Sequence, residues 1–204
     1  STEGVFLLCN ILDLLIYSTQ DKIMYNQRNW RDILSEKPKD MTRVDYEVTL
    51  PKPDEDYMTT YRINRAKRNL RRFNDVYRNS KTEVYDERHI DDPATQMHHI
   101  FPANEYPQIA DYLENLIALT PTQHFTYAHP NNNTQYIDRA YQYLCLIAKT
   151  GSIRDNLIGH KNEPVIYDFY LYQNVLNTGL ETDEFFEVQE MDFDGLLNKI
   201  EKYY

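Results

Sequence analysis

The sequence predicts an α+β protein, mostly α-helical, in which a small element of two short strands and a helix start is embedded between helical segments. Three observations lead there. Apolar residues recur at a three-to-four spacing on both sides of the middle of the chain, which marks amphipathic helices. Between these segments lie a His pair on a short apolar run closed by Pro102 and a second short run, Leu116–Leu119, both of strand length. A hydrophobic fraction of 41%, with 18 Tyr and 8 Phe, is enough to fill a core largely with amphipathic aromatics. We read 1–204 as a single unit, with a helical part at 1–94, the strand-bearing core at 95–140 and a second helical part at 141–204.

Taken in order, residues 2–19 carry Val5, Leu8, Cys9, Ile11, Leu12, Leu15 and Ile16 on one broad face and predict a buried helix. Asn10 and Asp13 interrupt its apolar stretch, which is shorter than the ~20 residues of a bilayer span, so no membrane association is expected. No basic segment precedes it, so a secretory signal is not expected either. A short helix at 30–35 and a strand-like alternation at 44–50, before Pro51 and Pro53, follow.

Residues 54–79 predict a long helix without internal Gly or Pro. The chain carries 32 acidic against 22 basic residues, and a net charge of −10 repels nucleic acid unless a local basic patch meets it. This helix is that patch: Arg62, Arg65, Lys67, Arg68, Arg71, Arg72 and Arg78 face one acid, Asp75, after Tyr61. Arg65, Arg68, Arg71 and Arg72 are the candidate phosphate contacts. The plainer reading, a solvated face whose arginines pair with acids elsewhere, stays open beside it.

A polar connector at 80–96 leads into the block HHIFPANEYPQIADYLENLIALTPTQHFTYAHP, after which a tyrosine-rich helix is expected at 135–149, ended by Gly151, with further helices near 165–177 and 192–203. Four of the six histidines fall between His98 and His129, so the chemistry is sought there. Neighbouring side chains on a strand face opposite ways, so His98 and His99 take different roles. The 131–134 polar run after Pro130 is read as a loop or helix cap. Cys9 and Cys145 each sit in an apolar run, which offers neither a disulfide framework nor a cysteine zinc site and fits a reducing cytoplasm. With five glycines there is no phosphate-binding Gly-rich loop, and neither a Gly-x-Ser-x-Gly elbow nor His-Glu-x-x-His occurs.

The order His98-His99-Ile100-x-Pro102, then Glu114-Asn115-Leu116-x-x-Leu119, then His124 at the head of a helix resembles the HNH (ββα-metal, His-Me finger) endonuclease motif over about 35 residues. The resemblance implies His99 as the general base that deprotonates an attacking water, and His98 and His124 as metal ligands. It implies Asn115 as the residue that fixes the metal loop and orients the base imidazole. His129, five residues after His124, misses the four-residue spacing of a regular helix and is kept as an optional third ligand. The family's frequent Cys-x-x-Cys clamps are missing, Pro121-Thr122-Gln123 standing in one such place, so no structural zinc is expected. Packing by Ile100, Phe101, Leu116, Ile117, Leu119 and Phe125 is expected to hold the element instead.

By the same resemblance the cofactor is a divalent metal, Mg²⁺ first and Mn²⁺ second, and the substrate is double-stranded DNA, cut by a type II restriction endonuclease or its catalytic domain. A toxin, homing, packaging or nicking nuclease is the alternative among enzymes. A helical interaction module with a metal-binding His cluster is the alternative outside them. A homodimer and a separate recognition domain both stay open.

Overall fold

The computed structural model describes residues 38, 40, 55–89, 91–129, 137–159 and 162–204. The helices expected at 2–19 and 30–35, the strand at 44–50, Cys9, His160 and the 131–134 run lie outside the described residues. The chain divides into two compact units, Ser1–Pro53 and Asp54–Tyr204, and every described helix and strand belongs to the second. That unit is mostly helical around one small two-stranded antiparallel sheet, an α+β arrangement. No helix among the described residues is long and apolar enough to cross a membrane.

Helix α1 spans Glu55–Tyr77 and buries Ala66, Leu70, Phe73 and Asn74, the spacing of one helical face. It stops where Asn79 and Ser80 turn to positive φ, with the Arg78 and Ser80 amides both donating to the Asn74 carbonyl. Strand β1, Gln96–His99, pairs antiparallel with β2, Leu116–Leu119, placing Gln96 opposite Leu119 and His99 opposite Leu116. All four residues of β2 are buried, which explains why it reads as an unbroken apolar run rather than an alternation. Helix α1 packs across both strands. The outer edge of β2 is closed by Glu83, whose amide donates to the Ala118 carbonyl at 3.0 Å while its carboxylate accepts from the Ala118 amide at 2.9 Å. The Ala118 backbone groups are thus taken and not open to a further strand.

Helix α2 spans Arg139–Ile158 and is capped by Asp138, which accepts from the Tyr141 amide. Two expectations are corrected here. The helix begins at 139 rather than 135, because Asp138 supplies the cap. It also runs through Gly151 and ends at Gly159, because Lys149, Thr150, Ile153 and Asn156 carry its buried face past the glycine. That burial outweighs the ~1 kcal/mol a helical glycine costs. Helix α3, Phe169–Gly179, starts at the Asp168 cap, four residues later than expected, and α4, Phe193–Glu201, starts at the Asp192 cap.

The core is aromatic as expected, with Phe101, Tyr141, Tyr167, Phe169, Tyr172, Phe185 and Phe193 buried. One charged pair sits within it. The Lys149 ammonium, fully buried, lies 3.0 Å from the Glu83 carboxylate and donates to the Tyr167 hydroxyl at 2.9 Å. The same Glu83 holds the edge of β2, so this pair ties α2 to the sheet. At the end of α3, a Cβ on Gly179 would meet the Phe101 ring at 2.3 Å, so only glycine lets α3 approach the residue that leaves β1.

Candidate metal centre

The alternation of a strand separates the two histidines of β1. His98 is buried and turns toward the segment that follows β2, whereas the half-buried His99 reaches the other way to the Ala110 carbonyl, 2.9 Å from its Nε2. The sheet register puts both opposite β2, with His98 facing Ile117 and His99 facing Leu116.

After β2 the chain turns at once into a helical segment whose Gln123–Ala128 portion is a π-helix. Its start is locked by a reciprocal capping box. The Gln123 amide donates to Thr120 Oγ1 at 3.2 Å, and the Thr120 amide donates to Gln123 Oε1 at 3.1 Å, with Pro121 between them. Gln123 is fully buried, and its amide also ties back to the β2 flank, donating to the Val84 carbonyl at 2.9 Å and accepting from the Thr82 hydroxyl at 2.6 Å. The clamp expected from packing alone is therefore largely a hydrogen-bond clamp. Ile100, Phe101, Leu116, Ile117 and Leu119 are buried as expected, but Phe125 is a correction: it is exposed and lies with its ring edge-on to His124.

The π-turn also changes the standing of His129. In a helix with five-residue hydrogen bonds, residues five apart fall on one side, and the His129 amide donates to the His124 carbonyl at 3.2 Å. The spacing that looked wrong for an α-helix is right for this one. The rings of His98, His124 and His129 form a triangle with centroid separations of 5.1, 4.9 and 4.9 Å, each pair nearly perpendicular. One nitrogen from each lies within 4.8 Å of the others, so the three could hold a metal ion. His98 Nε2 and His124 Nδ1 are buried without a hydrogen-bond partner. Buried nitrogens without a partner are costly, and two of them on rings of one triangle fit a site for a cation.

Burial, and then the neighbouring imidazoles, hold His98 well below its ordinary pKa of 6.5. His124 is lowered to about 4, first by burial, then by His129 and Lys67. Both are therefore neutral near pH 7, the form that ligates metal. His99 is also lowered to about 4, by burial first and Lys67 second, with the Ala110 hydrogen bond pulling the other way. With Nε2–H donating to Ala110, the lone pair falls on Nδ1.

Asn115, fully buried, fixes the loop between the strands. Its Oδ1 accepts from the Phe101 amide at 2.9 Å, and its Nδ2 donates to the carbonyls of Phe101 at 3.0 Å and Ile109 at 3.3 Å. The carboxamide bonds these backbone groups rather than the His99 ring. Ala110, next to the Ile109 that Asn115 grips, makes that contact.

The four candidate arginines do not act as one surface. Arg65 and Arg72, seven residues apart, are exposed on the face of α1 turned away from its buried stripe, and Arg68, half-buried, lies between them. Arg71 leans the other way, donating to the Thr95 carbonyl just before β1 and lying 3.8 Å from Asp75. Arg62 pairs with Asp111 at 3.3 Å, pinning α1 to the loop beside Ala110. The basic residue that the centre feels is one counted in the basic patch but not among its candidate phosphate contacts: Lys67 acts on His98, His99 and His124. Its phase held the signal, since it precedes the buried Leu70 and Asn74 by three and seven residues and shares their face. Comparison with family models, with curated proteins and with solved structures returns no match.

Proposed function

We propose that the chain is a metal-dependent endonuclease of the HNH kind, in which Gln96–His99, Leu116–Leu119 and the turn after them act as the ββα-metal element and hydrolyse DNA phosphodiesters. The observation that carries this is the convergence of His98, His124 and His129 on one point, next to a neutral His99 whose ring is held by a backbone carbonyl. A structural metal site has no use for the fourth histidine.

In this reading His99 Nδ1 accepts a proton from water as the water oxygen bonds to phosphorus, and the bond from phosphorus to the departing sugar oxygen breaks, that oxygen leaving with the electron pair and taking a proton from solvent. Ala110 keeps the imidazole in the tautomer that can accept the proton, and Asn115 keeps Ala110 in place. A divalent ion held by His98, His124 and His129 supplies positive charge against the phosphate and the departing oxygen. Three neutral imidazoles are poor partners for Mg²⁺, which prefers oxygen, and good ones for the borderline first-row ions. The donor set thus argues for Mn²⁺, Co²⁺, Ni²⁺ or Zn²⁺ ahead of the Mg²⁺ expected from the resemblance. Double-stranded DNA as substrate and a restriction role rest on that resemblance.

The test is cleavage of supercoiled and linear DNA with each ion in turn, in the native chain, His99→Ala and His98→Ala. We expect cutting that EDTA abolishes, that His99→Ala lowers by about 10²–10⁴-fold with metal binding intact, and that His98→Ala loses together with the metal. Metal binding through the three histidines with no cleavage of DNA or RNA would leave the interaction module with a structural metal.

A further inference from the structure

The surroundings of the His triangle are unusual in charge. Among the described residues, the charges acting on His98 and His124 are other imidazoles and Lys67, with no carboxylate among them. Lys67 itself is half-buried on the face of α1 that packs over both strands, and among the described residues no acid pairs with it and no acceptor takes its ammonium. In a chain with a ten-charge excess of acid, a half-sunk ammonium without a counter-ion among the described residues is out of character. Its neighbours deepen the oddity, because the three imidazoles that could hold a metal ion sit beside this ammonium. A divalent ion bound there would meet repulsion from Lys67 and find no negative ligand among the described residues to offset it.

We infer that Lys67 is the anion-binding arm of this metal centre: one phosphodiester oxyanion lies between the ammonium and the ion, so that metal and phosphate each bind tightly only in the presence of the other. The inference rests on the reading of the His triangle as a metal site and adds the ligand that completes it. A single anionic group resolves both anomalies at once, giving Lys67 its counter-ion and the metal its negative ligand. Carboxylate ligands, the usual way of neutralising a divalent ion, would compete with a phosphate for the same charge. Leaving them out and placing a lysine alongside makes the site select for an incoming anion. The coupling is reciprocal, so metal without phosphate and phosphate without metal both bind weakly.

The experiment is titration of the full chain with Co²⁺, read by its visible absorption, without and with diethyl phosphate, a phosphodiester too small to reach the rest of α1. In the native protein diethyl phosphate is expected to tighten Co²⁺ binding about tenfold, the order for a unit charge acting on a divalent ion through a partly wet site. Lys67→Met should bind Co²⁺ more tightly than native in the absence of phosphate and show little or no tightening when phosphate is added. Lys67→Arg should keep the coupling. Should Lys67→Met not fold, as judged by its far-ultraviolet dichroism, Lys67→Gln serves the same comparison. Equal tightening in native and charge-free variants overturns the role of Lys67 while leaving the metal centre standing. Failure of the native chain to bind Co²⁺, or binding undiminished in His98→Ala, overturns the metal centre and this inference with it.

Discussion

At the scale of single residues, the hydrogen-bond capacity of Asn115 decides how the site holds its shape. Its carboxamide satisfies three buried backbone groups that belong to two different stretches, the exit of β1 and the loop before β2. Asn115→Ala leaves the Phe101 amide and carbonyl without that partner and the Ile109 carbonyl with the Tyr112 amide alone, and each orphan costs about 1–3 kcal/mol. We therefore expect urea unfolding of Asn115→Ala to show a loss of about 3 kcal/mol or more, with cleavage falling further than metal affinity, because the displaced part is the Ala110 carbonyl that steadies His99. A variant that keeps native stability would show that the carboxamide is not what holds the loop. The grouping of His98, His124 and His129 was legible in the sequence, where His98 and His124 stood as candidate ligands and His129 as an optional third. What was not legible was who touches whom: that Ala110 rather than Asn115 meets the imidazole depends on the backbone path of a loop, and a main-chain carbonyl leaves no trace in a side-chain pattern.

Among elements, the helical turn that follows β2 contributes most, because it sets two of the three histidines that could hold a metal ion. The four-residue spacing rule failed for His124 and His129 through a change of period, from a helix bonded at four residues to one bonded at five. No propensity marks that change in advance, although the Thr120-Pro121-Thr122-Gln123 capping box does mark where the turn begins. The same cap explains how the element holds without cysteines. Gln123→Leu keeps much of the volume but removes the acceptor for Thr120 and Thr82 and the donor to Val84. We expect it to lower unfolding free energy by about 2–4 kcal/mol and to weaken Co²⁺ binding, because His124 begins one residue later. Unchanged metal affinity in a destabilised Gln123→Leu would mean that His98 and His129 alone position the ion. The strands and α1 were readable because their apolar period is strong. Gly151 misled because a glycine ends a helix only where nothing beyond it is worth burying, and Ile153 and Asn156 are buried.

For the molecule as a whole, the histidine cluster is expected to link folding to protons and, under the proposed function, to metal. His98, His99 and His124 all have their charged forms disfavoured in the folded chain, burial being the leading cause for each. In the unfolded chain these groups return to about 6.5, so between about 4 and 6.5 the unfolded state binds more protons than the folded one. Stability must then rise with pH through that window, stand at its full value above 6.5 and be lost as pH falls. Buried Glu114 works in the opposite sense, its carboxyl raised by burial so that the folded form holds its proton more firmly, but it is one group against three. In EDTA, the thermal midpoint is expected to drop steadily from pH 7 to pH 4.5, and His124→Phe, which removes one of the three protons, should flatten the slope. Adding Co²⁺ at about a hundred times its Kd should raise stability at pH 7 by about 2.7 kcal/mol, and the gain should shrink on acidification because protons compete for the same ring nitrogens. Differential scanning calorimetry across this pH range, with and without the ion, reads both effects. A midpoint independent of pH in EDTA would mean that the histidines are not buried neutral in the folded protein, while a pH-dependent midpoint that Co²⁺ leaves unmoved would mean that the three nitrogens converge without binding an ion.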